Sequence, residues 1–167
     1  MVPNPNEFIS AETTVEQLQR LYPLVPGGER VRALVVAPDR APRRLIARLL
    51  GREPDFWVVG SASCHVEAIT MAVETRPDVV LYDLSPDESL ESVERLLQAL
   101  PCSVVGLCNG PEPTGLRSRA LQAGALAVVQ RPQSADPTRY AGERAKLLQT
   151  VRAVATPRAR GFHRSDS

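Results

Sequence analysis

An aspartate, Asp83, ends the apolar run Val79-Val80-Leu81-Tyr82, at the point where a buried parallel strand gives way to a loop. In open α/β sheets, ligands and chemistry sit just outside the carboxyl ends of the strands, so this carboxylate is a working group or the relic of one. The other chemical side chains offer less. Cys64, Cys102 and Cys108 are odd in number and lack CxxC or metal-ligand spacing, which fits a reducing compartment and argues against zinc. Neither His65 nor His163 stands in a ligand pattern, and no histidine neighbours Cys108 in sequence to make it a nucleophile.

The elements that must position Asp83 follow from the pattern around it. From Val31 onward, short β-branched runs alternate with helical segments, the signature of repeated βα units. Strands are expected at Val31 to Val36, Phe56 to Ser61, Val79 to Asp83, Ser103 to Cys108 and Ala125 to Val129. Helices are expected at Ala41 to Leu50, His65 to Thr75, Leu90 to Leu100, Thr114 to Ala123 and Pro137 to Ala155. Asp39 is placed to cap the first helix and Asp136-Pro137 to open the last, while Gly124 suits a helix C-terminus. Arg144 falls on the inward stripe of the last helix and must snorkel or pair.

Residues 31–155 thus read as one domain. Residues 1–30 read as an extension with a short amphipathic helix, capped by Thr13 or Thr14 and carrying Val15, Leu18, Leu21 and Tyr22. Residues 156–167 read as a flexible basic tail, too poor in aromatic groups to suggest a nucleic-acid arm. A net charge of +1 gives no broad case for nucleic acid or an anionic membrane, and Lys146 is the only lysine. No stretch reaches the ~20 apolar residues of a membrane span, and the polar start has no apolar signal region, so the chain is expected in the cytoplasm.

Several motifs, in order, resemble the amino-terminal receiver domain of the chemotaxis methylesterases. They are Ala33-Leu34-Val35-Val36 followed by Arg43-Arg44-Leu45, then Pro54-Asp55-Phe56-Trp57-Val58-Val59-Gly60, then Arg76-Pro77-Asp78-Val79-Val80-Leu81-Tyr82-Asp83. Val104-Val105, Arg119-Ala120-Leu121-Gln122-Ala123-Gly124-Ala125 and Arg131-Pro132 complete the set. The resemblance implies a (βα)5 flavodoxin-like fold with parallel strand order 2-1-3-4-5, here with an extra N-terminal helix. It also implies a site at the switch point beside the first and third strands.

Receivers accept a phosphoryl group on the third-strand aspartate, which corresponds to Asp83, with a divalent cation held by an acidic pair after the first strand. The matching positions are Ala37 and Pro38, which cannot ligate a metal through their side chains. The family's fourth-strand hydroxyl corresponds to Cys108, its fixed lysine to Arg131 and its aromatic switch to Val128. The loop Leu84-Ser85-Pro86-Asp87-Glu88 lacks the usual glycine. Asp39 lies one residue beyond the second acid position, where helix capping already gives it a use, and no magnesium or other cofactor is expected. Arg131 is expected to reach Asp83 in one bidentate contact that replaces metal and lysine together.

The resemblance therefore implies a non-catalytic pseudo-receiver acting through protein contacts in two-component or chemotaxis-like signalling. Its expected partners are a histidine kinase, a chemotaxis component, another receiver or a second copy of the chain. The expected contact face takes in Arg117, Arg119, Gln122, Arg139, Glu143 and Lys146. No esterase activity is expected of a chain this short. Two alternatives stand beside this reading. One is a phosphoacceptor using Asp83, with Asp39 helping to hold metal. The other is a small-ligand sensor whose crevice is lined by Pro38, Asp83, Cys108 and Arg131.

Overall fold

The computed structural model describes residues 30–85 and 89–155. The expected N-terminal helix, the basic tail and Pro86, Asp87 and Glu88 lie outside the described residues. Five strands, β1 (Val31–Val36), β2 (Phe56–Ala62), β3 (Val79–Asp83), β4 (Ser103–Cys108) and β5 (Ala127–Gln130), alternate with five helices. These are α1 (Arg40–Gly51), α2 (His65–Thr75), α3 (Ser89–Ala99), α4 (Leu116–Ala123) and α5 (Pro137–Val154). All strand pairs are parallel in the order β2-β1-β3-β4-β5, as expected from the sequence.

Side-chain alternation along each strand divides the interior into two layers. Leu34, Val36, Val80, Tyr82, Val104 and Val128 pack with α2, α3 and α4. Ala33, Val35, Val79, Leu81, Val105 and Val129 pack with Ile46 and Leu50 of α1 and with Leu147, Leu148 and Val151 of α5. Every residue of β3 is buried, which explains why its sequence is a continuous apolar run broken only by the terminal acid.

Local chemistry sets the ends of the elements. Asp136 accepts from Thr138 N at 3.4 Å, with Pro137 at the first helical position. Gly124 closes α4 at φ 113°, a left-handed conformation that few other residues adopt. Arg144 resolves its place on an inward stripe by pairing with Glu53. Three expectations need correction. Asp39 holds the N-cap position of α1 but its side chain makes no capping bond. Helix α4 begins at Leu116 instead of Thr114, because Gly115 stands in the left-handed region at φ 82°. Strand β5 begins two residues late, at Ala127, since the chain leaving Gly124 is first turned back by Ala125 N donating to Ala120 O.

The loop that follows Asp83 is fixed from below. Leu84 N donates to Leu107 O at 2.8 Å, and the buried Leu84 side chain lies across Gly106 of β4. A β-carbon at Gly106 would fall 2.4 Å from Leu84 Cδ1, so glycine here lets the Leu84 side chain lie against β4.

Candidate functional site

The pairing of Val36 with Tyr82 and of Asp83 with Leu107 brings the ends of β1, β3 and β4 to one rim of the sheet. Asp83 stands there 5 % exposed. Its Oδ1 accepts from Ser85 N at 3.0 Å and from Ser85 Oγ at 2.7 Å, a local turn that holds the carboxylate by one oxygen. No described residue donates to Oδ2.

The end of β1 is built quite differently. Ala37 is buried, with its N–H given to Ala62 O at 3.0 Å. Arg43, one turn into α1, folds back so that Nη1 donates to Ala37 O at 2.9 Å and to Pro38 O at 3.3 Å. A guanidinium thus uses the carbonyl oxygens offered where the family's acidic pair would stand. Asp39 is exposed, and among the described residues no group of three or more His, Cys, Asp or Glu side chains could hold a metal ion. A divalent cation does not fit this donor set, because the acids are replaced by apolar side chains and the remaining oxygens face a fixed positive charge.

Arg131 does not engage Asp83. Among the described residues its guanidinium reaches only Gln133 Oε1, at 3.5 Å, while its backbone N–H donates to Cys108 O at 2.8 Å. Strands β3 and β5 flank β4, about two spacings of ~4.8 Å apart, and a half-exposed arginine gains little by giving up water to cross that gap. Cys108 is buried, and its thiol points to Gly110 O at 3.6 Å. Burial, aided by the nearby Glu112 charge, pushes that thiol up from its usual range. It behaves as a small core residue and not as a hydroxyl substitute. Val128 is buried in the layer under α4, with its carbonyl accepting from Arg117 Nη2 at 3.3 Å.

The anticipated single crevice divides into two. A cavity of about 340 Å³ is lined by Pro38 and Asp83 together with residues of α2 and α3. A neighbouring one of about 350 Å³ takes in Cys108, Ser85 and Ser89. Arg131 lines neither. On the expected contact face, Arg117 is held by Glu112 at 2.7 Å and Glu143 accepts from Ser134 N at 3.0 Å, so both are engaged within the domain. Arg119 donates to Gly115 O at 3.4 Å, whereas Gln122, Arg139 and Lys146 stand exposed. Leu121 and Leu126 are exposed beside them, and sequence reasoning missed both. Leu121 was findable: Leu116, Ala120 and Ala123 fill the inner stripe of α4 and leave it outside. Arg43 and Ser89 were missed as well, and no side-chain pattern marks either.

No family model matches the chain. Protein-glutamate methylesterase/protein-glutamine glutaminase 4 of Myxococcus xanthus is 32% identical over 128 residues, covering 75% of this chain and 36% of that protein. The chain therefore spans about a third of the length of this curated relative. Among solved structures, the response regulator domain of Thermotoga maritima CheB aligns with TM-score 0.65 and 24% identity, over 76% of this chain and 97% of that one. A complex of the P1 domain of CheA3 with CheY6 from R. sphaeroides gives TM-score 0.62 and 23% identity, over 75% and 98%. The match to the methylesterases falls on their non-catalytic receiver region and not on their esterase part. With its strand order, its βα alternation and Asp83 at the end of β3, the chain matches the receiver domains of protein-glutamate methylesterases and other response regulators.

Proposed function

We propose that this domain is a pseudo-receiver, acting by protein contact in a two-component or chemotaxis-like pathway without magnesium-dependent phosphorylation. The observation that carries this reading is Arg43, whose guanidinium donates to both Ala37 O and Pro38 O where a receiver would coordinate its cation. Phosphoryl transfer to a carboxylate depends on positive charge set against the oxygens of the transferring group, and a guanidinium tied to backbone carbonyls is already engaged elsewhere. Buried Val128 offers no aromatic ring to swing between states.

The contact surface in this reading is the α4–β5–α5 face, with Leu121 and Leu126 as its apolar part and Arg119, Arg139 and Lys146 around them. Partners of matching chemistry are a histidine kinase, a chemotaxis component, another receiver or a second copy of the chain. The solved neighbour CheY6, seen in complex with the P1 domain of CheA3, supports a protein partner.

A second reading, phosphorylation of Asp83 itself, is favoured by the company of the response regulators. It is also favoured by a carboxylate whose Oδ2 has no donor among the described residues. One experiment separates the two. The chain is incubated with acetyl phosphate and magnesium, and its intact mass is recorded beside Asp83→Asn. The proposal expects no phosphate adduct in either; a magnesium-dependent adduct absent from the variant establishes the second reading.

A further inference from the structure

The cavity of about 340 Å³ beside Asp83 has a definite chemical character. Val36, Pro38 and Tyr82 supply apolar lining. Most polar groups around it are already satisfied inside the protein. Arg95 pairs with Glu91 at 2.7 Å, so their charges offset each other. Ser92 bonds the Tyr82 hydroxyl and lies 3.5 Å from His65 Nδ1. Ser63 gives its N–H to Glu67 at 2.8 Å.

Two oxygens stand out, and both belong to residues buried to within a few per cent: Asp83 at 5 % exposure and Ser89 at 4 %. Asp83 Oδ2 and Ser89 Oγ have no partner among the described residues, and both residues line this cavity. A carboxylate oxygen that no described protein group engages is open to a charged donor, which makes the strongest hydrogen bond to it. The lining therefore offers a carboxylate oxygen, a neutral hydroxyl and an apolar wall.

We infer that this cavity binds a small organic ammonium, its cationic head donating to Asp83 Oδ2 and Ser89 Oγ and its apolar body lying against Val36, Pro38 and Tyr82. The volume sits at the small end of ligand cavities, which span roughly 300–1,000 Å³. Phosphorylated metabolites are the wrong class, because the Asp83 carboxylate repels them and Arg95, which lines the cavity, is already paired. Such a ligand would bridge β3 to the first turn of α3 and so give the domain an input in place of phosphorylation. The inference rests on the reading that Asp83 is not a phosphoacceptor.

The test uses the full chain with three probes: benzylamine hydrochloride, benzyl alcohol and magnesium chloride alone. Amide resonances of residues 63–65, 82–85 and 89–95 are followed by NMR, and alkylation of the exposed Cys64, which lines the same cavity, is followed by peptide mass. Benzylamine should shift these amides saturably and slow alkylation of Cys64, while benzyl alcohol should do neither. Asp83→Asn keeps an acceptor for Ser85 and should bind benzylamine at least about tenfold more weakly, the factor carried by one charge-assisted hydrogen bond. A thermal melt of the variant confirms that it is folded. Equal responses to the amine and the alcohol, no response to the amine, or binding unchanged in Asp83→Asn would each overturn the ammonium site. Magnesium producing the same shifts and excluding benzylamine would overturn it together with the pseudo-receiver reading, whereas a phosphate adduct in the mass experiment would sink that reading independently.

Discussion

The two ends of the sheet are built on opposite principles. At the amino end, before β2 and β3, nearly every described carboxylate has a cationic or backbone partner. Glu53 and Asp55 are bridged by Arg152 at 2.9 and 2.7 Å, Arg144 joins Glu53, and buried Asp78 accepts from Arg32 N at 2.9 Å. Arg152 also lies 5.4 Å from the Phe56 ring centroid, and Arg32 5.8 Å from that of Trp57. At the carboxyl end, Asp83 is held by one oxygen and Ser89 by none. The carboxylates of the amino rim are tied down, whereas Asp83 is left partly open at the rim where open α/β sheets bind their ligands.

The largest effect that would break this contrast comes from Gly106→Ala. The new methyl meets the end of the buried Leu84 side chain, which must shift to make room. Unfolding in urea should show a loss of about 1–3 kcal/mol, with the Ser85 turn on Asp83 disturbed in the amide spectrum. Next comes Asp78→Ala at the satisfied rim. It strands the part-buried Arg32 N–H and should cost about 1–3 kcal/mol by the same measurement. Arg152→Ala should cost less, about 1 kcal/mol or under, because the guanidinium is 41% exposed and solvent screens its pairs. That loss should shrink further in high salt.

Smallest of all should be Asp83→Asn, a change within about 0.5 kcal/mol, since the amide oxygen still accepts from Ser85 and no ion pair is lost. A cost as large as that of Asp78→Ala would mean that the carboxyl rim is a structural site after all. Thiol labelling sharpens the same comparison. Burial pushes the Cys102 thiol up to about 11 and raises that of Cys108, so Cys64 at the open rim should be alkylated well before either.

The sequence disclosed the sheet and the position of Asp83 because both rest on periodicity. A strand buried on two faces has to be an apolar run, and a lone acid at its end stands out. It disclosed the loss of the acidic pair at Ala37 and Pro38 for the same reason: the residue types themselves exclude ligation. What took their place could not be read. Arg43 looks like any cation on an exposed turn of α1, and its targets are backbone carbonyls, which leave no mark in side-chain pattern. The expected Arg131 contact failed because strand order gives adjacency, while reach across β4 is decided by rotamers and solvation. The division of the crevice into two cavities follows from where Leu84 and Ser89 fall around Asp83, which no local spacing encodes.

The central claim is that Asp83 has outlived the apparatus for phosphorylation. Intact-mass measurement of the full chain with acetyl phosphate and magnesium tests it most directly. The account predicts an unmodified mass, identical with and without the metal; a phosphate adduct that requires magnesium and disappears in Asp83→Asn would contradict it.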